Sequence, residues 1–295
     1  PDLLEAFIEG VKEMGINIEN LGSVPFGIVL LKSYKEGKEA AYVTASHLAK
    51  GWNGIKFYHS DGIGWTEEEN YEVRDIFLSD NFVSSNDSGE LESINYLEEY
   101  KRELLEKLDF NKSIKILLDC GNGTSGIIAP EIFRDMGFEV DTLFEEPDGE
   151  FDNRDPGVEE ESLSKLKERV KDFDLGIAYD GDSDRMVLVD DRGRVLDAGE
   201  TAYVLLKWIL KNKKGPVIAN VEVSRLLEDI TESYDREIRR IRVGHTYLFK
   251  ETLENNGCFG VESSGHYCIP FFLPLDDGIS CSLFAAQVIS GLDKK

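Results

Sequence analysis

Six consecutive residues, Asp180-Gly181-Asp182-Ser183-Asp184-Arg185, set three carboxylates at alternate positions and end on a guanidinium. Alternate acids on an extended or turning loop can converge oxygen ligands on one hard cation. Gly181 and Ser183 leave the backbone free to wrap, and Arg185 offers a rigid fork suited to phosphate or carboxylate. The apolar run Asp174-Leu175-Gly176-Ile177-Ala178 before them reads as a buried strand. The acids therefore sit at a strand's carboxyl end, where open α/β sheets take their ligands. An EF-hand does not fit, because its loop needs Gly at the position that Arg185 fills. The plain alternative is a solvated acidic turn. The sequence predicts a metal site on an α/β scaffold.

Three other segments carry chemistry. Thr44-Ala45-Ser46-His47 follows the strand-like Glu39–Val43. Ser46 could be a nucleophile with an imidazole beside it, or the cap of a following helix. Asn53-Gly54 signals a turn that could fold Lys56 back toward Ser46. Gly260-Val261-Glu262-Ser263-Ser264-Gly265-His266 offers a carboxylate, two hydroxyls and an imidazole, an inventory suited to vicinal sugar hydroxyls. Arg242-Val243-Gly244-His245-Thr246-Tyr247 supplies another imidazole. Of the 4 histidines in the chain, His47, His245 and His266 fall in these segments. That enrichment points to chemistry rather than chance.

Such loops need strands and helices to aim them. Leu3, Leu4, Phe7, Ile8, Val11 and Met14 recur at helical spacing from the very start, Pro1. A fold that opens on a helix leads us to expect a fragment whose first strand lies outside this sequence. The pattern helix, Gly, short strand occurs at 7–18 around Gly15 and again at 132–140 around Gly137. Further on, the periodicity predicts strand Lys115–Asp119, helix Ile128–Met136, helix Glu160–Val170, strand Leu175–Ala178 and strand Met186–Val189. A third unit follows with helix Thr201–Leu210, strand Pro216–Val221, helix Ser224–Tyr234 and helix Gly278–Ile289. This alternation predicts an α/β fold: consecutive related domains with mixed, mostly parallel sheets covered by helices. Boundaries are expected in Asn86–Glu92 and Asp190–Asp197, giving domains at 1–95, 96–198 and 199–295.

A net charge of −25 argues against a nucleic-acid partner, which would be repelled. Phosphorylated metabolites remain compatible, since a local basic or metal-bearing pocket can hold them. Cys120, Cys258, Cys268 and Cys281 form no CxxC pair and read as reduced core residues. No apolar run approaches membrane-spanning length and no signal peptide opens the chain. The expectation is a cytoplasmic protein without a membrane or nucleic-acid partner; composition leaves its oligomeric state open.

In order and spacing these segments resemble the α-D-phosphohexomutase superfamily, most closely its phosphomannomutase/phosphoglucomutase members. The resemblance rests on the Thr44–His47 loop ending in Asn53-Gly54-Ile55-Lys56, the Asp180–Arg185 loop, Val243-Gly244-His245, and Glu262–His266 followed by Asp276-Asp277-Gly278-Ile279. Asp119-Cys120-Gly121-Asn122-Gly123 and Glu146-Pro147-Asp148-Gly149-Glu150-Phe151 agree with it. It implies that Ser46 carries a transferable phosphoryl group and that Asp180, Asp182 and Asp184 hold a Mg²⁺ that also touches the Ser46 oxygen. Lys56 and Arg185 would neutralise the phosphoryl charge, with His47 beside the nucleophile. His245 and His266 would move protons, and Glu262 and Ser264 would hold sugar hydroxyls. The implied reaction interconverts hexose 1-phosphate and hexose 6-phosphate, of mannose or glucose, through hexose 1,6-bisphosphate. A non-catalytic sugar-phosphate or Mg²⁺-binding module derived from the family is the other reading. Where the family writes Asn-Pro after its serine and histidine, this chain has Leu48-Ala49, which predicts a less rigid loop. The family has four domains, so a fourth, phosphate-binding domain is expected outside this sequence, with slower turnover as the consequence.

Overall fold

The computed structural model describes residues 2–48, 50–108 and 112–292; Pro1 and Ala49 lie outside them. Among the described residues the strands are β1 (Ile18–Asn20), β2 (Ala40–Thr44), β3 (Gly54–Tyr58), β4 (Leu91–Ser93), β5 (Lys115–Asp119), β6 (Glu139–Leu143), β7 (Leu175–Tyr179), β8 (Met186–Val189), β9 (Val217–Asn220), β10 (Ile238–Ile241), β11 (Phe259–Val261) and β12 (Tyr267–Cys268). The helices are α1 (Asp2–Glu13), α2 (Phe26–Glu36), α3 (Glu67–Ser79), α4 (Leu97–Leu105), α5 (Ala129–Asp135), α6 (Ser164–Arg169), α7 (Ala198–Asn212), α8 (Leu226–Ser233), α9 (His245–Glu254) and α10 (Gly278–Ser290).

Two four-stranded sheets share one plan. The first runs β6-β5-β7-β8 and the second β10-β9-β11-β12. In each, three strands are parallel and the last is an antiparallel edge. Strands β2 and β3 form a separate antiparallel pair, and β1 pairs in parallel with β4. The expected α/β architecture with mixed, mostly parallel sheets is therefore present.

The repetition runs deeper than the helix-Gly-strand echo. Three times an antiparallel hairpin is followed by a returning bridge and then by a helix capped at its first turn. The bridges are Tyr58 to Gly64, Val189 to Val195 and Ile269 to Leu273. The caps are Thr66 on α3, Asp197 on α7 and Asp277 on α10. Each of these side chains accepts from a backbone N–H that the helix leaves unpaired. The loops 45–53, 180–185 and 262–266 each join the two strands of one hairpin. Three of the four chemistry-bearing segments thus occupy the same position in three successive units; Arg242–Tyr247 instead joins β10 to α9.

The echo itself is present: α1 gives way to β1 through Gly15 and α5 to β6 through Gly137, with φ of 78° and 90°. Only a residue without a Cβ adopts that left-handed turn cheaply. Two expectations need correction. The helix expected over Glu160–Val170 is broken into a 3₁₀ turn, α6 and a second 3₁₀ turn. Lastly, Val243-Gly244-His245 is no free loop, since His245 begins α9.

The largest apolar core extends from Phe26 on α2 through Ile116, Ile177 and Leu188 to Phe259 and Leu283. Helix α10 packs on α2, α7, β7, β8 and β12 and is buried along nearly its whole length. It anchors the hairpins that carry the second and third loops. Cys120, Cys258, Cys268 and Cys281 are free and buried.

Candidate active site

Backbone geometry fixes the first loop before any side chain acts. Ser46 adopts φ 53° and Ser183 φ 68°, conformations that cost a residue with a Cβ roughly 1–2 kcal/mol. Such strain survives where surrounding contacts over-determine it, often at functional positions. Those contacts are visible. Thr44 Oγ1 accepts from Ser46 N at 2.7 Å and donates to Asp182 Oδ2 at 2.9 Å. Asp182 O accepts from Phe26 N at 3.0 Å, and Ser183 O accepts from Gly278 N at 3.0 Å. At Gly181 an added Cβ would stand 2.7 Å from Ser46 O. The two loops pack backbone to backbone.

Asp180, Asp182 and Asp184 are each at most 2 % exposed. Ser46 Oγ donates to Asp180 Oδ2 at 3.2 Å, and His47 Nδ1 is 3.4 Å from the same hydroxyl. Lys56 Nζ donates to Asp182 Oδ2 at 2.9 Å and to Asp184 Oδ2 at 2.6 Å. Burial together with the charges of Asp184 and Asp182 pushes the Asp180 carboxyl well above its ordinary range. Burial would raise Asp184 too, but Lys56, His266 and Arg185 overcome it and hold that carboxyl far down. Lys56 resists its own burial through the same two acids and stays firmly protonated.

The triplet fits a divalent cation. One oxygen from each of the three acids lies within 4.8 Å of the others. Asp182 Oδ1 and Asp184 Oδ1 are buried with no hydrogen-bond partner, an arrangement that is costly unless a further positive group meets them. An all-oxygen, carboxylate-rich donor set suits a hard ion such as Mg²⁺.

The imidazoles form the opposite wall. His245 and His266 stack with centroids 5.0 Å apart. His266 Nδ1 meets Asp276 Oδ1 at 2.9 Å, and Arg185 Nε donates to His266 Nε2 at 3.1 Å. Tyr58 OH lies 3.4 Å from His245 Nε2. Burial, then the charge of His266, lowers the His245 pKa. His47 is lowered too, by burial and then by Arg185. Burial also pulls at His266, but Asp276 and Asp184 outweigh it and raise the group.

Ser46, His47, Lys56, Arg185, His245 and His266 all line one cleft of about 240 Å³. Asp180 and Asp182 are buried beneath it. Glu262 and Ser264 are not among its lining residues: Glu262 Oε2 accepts from Gly244 N at 2.8 Å and Oε1 from Ser264 Oγ at 2.8 Å. The Glu262 carboxylate thereby fixes the start of α9 and so His245. Sequence reasoning gave no role to Thr44 or Asp276. Both stood inside quoted motifs; Thr44 reaches Asp182, 138 positions away, and Asp276 meets His266 only because the chain folds back over the 10 positions between them.

Successive α/β/α units that each lend one hairpin loop to a shared cleft define a multi-unit class of protein, and the order of loops narrows it. The chain belongs to the phosphoglucomutase/phosphomannomutase family: residues 1–84 match its alpha/beta/alpha domain I, 95–193 domain II and 197–295 domain III. A probable phosphoglucosamine mutase of Methanothermobacter thermautotrophicus is 35 % identical over 98 % of this chain and 64 % of its own length. The chain thus spans just under two thirds of that relative. A phosphoglucomutase/phosphomannomutase family protein of Burkholderia thailandensis shares the fold at a TM-score of 0.90 and 22 % identity, over 99 % of this chain and 66 % of that one. The Aspergillus fumigatus N-acetylphosphoglucosamine mutase, solved with GlcNAc-6P and magnesium, shares it at 0.61 and 15 % identity, over 98 % and 75 %.

Proposed function

We propose that this chain carries the phosphoserine, metal and sugar-binding loops of a hexose-phosphate mutase, with Ser46 as the phosphoryl carrier. The reading rests above all on Ser46 Oγ, held 3.2 Å from Asp180 at the base of a cleft that Lys56 and Arg185 also line. Phosphoryl transfer requires little covalent assistance and much positioning and charge stabilisation. In the forward half, phosphoserine gives its phosphoryl group to a sugar hydroxyl, yielding hexose 1,6-bisphosphate. In the return half, the other phosphate passes to Ser46 and leaves the isomeric monophosphate. Lys56 and Arg185 offset charge on the travelling group, and His245 takes the hydroxyl proton. Glu262 and Ser264 hold the sugar hydroxyls once a ligand draws them from their mutual bond.

Asp180, Asp182 and Asp184, with the Ser46 oxygen, would hold Mg²⁺. Bound there, the ion would supply positive charge to the phosphoryl oxygens, where it grows more useful toward the transition state.

On substrate class, mannose and glucose phosphates are joined by glucosamine phosphate, because the Methanothermobacter relative bears the phosphoglucosamine mutase name. The relatives' names are those of enzymes and lend the non-catalytic reading no support. Phosphorus NMR of the protein with Mg²⁺, a trace of hexose 1,6-bisphosphate and each of the three 1-phosphates tests the proposal. Growth of a 6-phosphate signal with at least one sugar is expected. A protein that leaves all three unchanged over hours, while still binding Mg²⁺, counts against it.

A further inference from the structure

Asp276 and Asp277 are adjacent, buried aspartates with unlike surroundings. Asp277 caps α10 through Ile279 N at 3.1 Å and accepts from Tyr100 OH at 2.8 Å. It is built into the scaffold. Asp276 is 1 % exposed, its Oδ1 meets His266 Nδ1 at 2.9 Å, and its Oδ2 has no hydrogen-bond partner. A buried carboxylate spent on one imidazole contact does not serve the helix.

The other face of His266 decides what that contact achieves. Arg185 Nε always carries a proton and can only donate. At 3.1 Å it donates to His266 Nε2, so in the neutral ring Nε2 must be the nitrogen that presents the lone pair. The remaining ring proton then belongs on Nδ1, where Asp276 is the acceptor. Each end of the imidazole is accounted for by one partner. Arg185 Nε is thereby occupied, which limits how its two terminal nitrogens can turn.

We infer that Asp276 is a positioning residue: it selects the Nδ1–H tautomer of His266, and His266 in turn aims Arg185 into the cleft. This deepens the mutase reading and rests on it for its consequence in catalysis. Asp276 touches no reacting atom; it acts through two side chains. The amide of Asn at that place could offer N–H instead of oxygen and invite the opposite tautomer. Outer partners that orient a metal-bound imidazole are typically worth 10- to 100-fold, and a loss of the same order is expected here.

The test uses the 295-residue protein labelled with nitrogen-15 at its 4 histidines, with the His266 signals assigned by their loss in His266→Gln. Neutral His266 is expected with Nδ1 protonated and Nε2 bare. In Asp276→Asn that tautomer should lose population, whereas Asp277→Asn should leave it intact. Ser46 labelling by glucose 1,6-bisphosphate should slow roughly 10- to 100-fold in Asp276→Asn, and not in Asp277→Asn once corrected for folded protein. A wild-type His266 protonated at Nε2, or a tautomer indifferent to Asp276→Asn, overturns the inference. If wild-type protein takes up no label at all, the mutase reading fails, and the tautomer still decides this proposal by itself.

Discussion

Ser46 Oγ lies 3.2 Å from Asp180 Oδ2, although 134 positions separate the two residues in the chain. Neither hairpin could arrange this alone. The contact exists because two units set their loops in the same place relative to their sheets and pack those loops face to face.

Removing one acid tests the metal assignment. Asp182→Ala takes away an oxygen of the proposed metal site, the Thr44 acceptor and one partner of Lys56. Titration calorimetry should find Mg²⁺ affinity reduced roughly 10-fold or more. An unchanged affinity would remove Asp182 from the metal site.

Lys56 and the proposed divalent cation would answer the same negative charge, that of Asp182 and Asp184. Lys56→Met leaves Asp182 and Asp184 buried without their ammonium, a loss of about 3 kcal/mol or more in chelator. Saturating Mg²⁺ should recover much of it, since an ion that binds only the folded state stabilises that state. Urea unfolding with and without Mg²⁺ measures this directly. Equal losses under both conditions would show that the cation and Lys56 do not share a site.

The close approach at Gly181 predicts a functional effect from a single methyl group. Gly181→Ala places a Cβ 2.7 Å from Ser46 O and must push the first loop outward. Displacements of this order cost catalysis up to about 100-fold, so the rate of Ser46 labelling should fall clearly. A rate equal to wild type would mean the loops are not held as close as described.

Asp277 predicts a pH effect on stability. Burial raises its carboxyl from 3.8 to about 6, against the hydrogen bonds from Tyr100, Ser280 and Ile279. A carboxyl raised in the folded state stabilises fully below its unfolded pKa, and that contribution is lost as pH rises through the folded value. Wild type should therefore lose about 3 kcal/mol from this group between pH 3.8 and about 6. Asp277→Asn cannot ionise and should flatten that part of the profile. Parallel profiles for both proteins would refute the assignment.

Much of this was legible in the residues, and the reasons differ by element. Strands β5 and β8 coincide with their expected ranges because short apolar runs there are bounded by turn residues. Helix α2 was missed: Pro25 precedes it without a side-chain cap, and Phe26-Gly27-Ile28-Val29-Leu30-Leu31 is too uniformly apolar to show a helical face. Helix α3 went unread although Thr66 and Glu69 form a capping box, a signal the sequence does display. Helix α9 follows Gly244, which offers no capping side chain, so its first turn reads as a loop. Among the site residues, loop membership was readable because the motifs are local. Thr44 and Asp276 were not, since their meaning comes from Asp182 and His266, which only packing brings near.

Phosphate on Ser46 is the most direct test of the whole account. The protein should be incubated with glucose 1,6-bisphosphate and Mg²⁺, then examined intact and as peptides by mass spectrometry. One phosphate is expected, within residues 41–50 and on Ser46, and Ser46→Ala should take up none. Label that persists in Ser46→Ala, or that maps to Ser263 or Ser264, would contradict the assignment of Ser46 as the phosphoryl carrier.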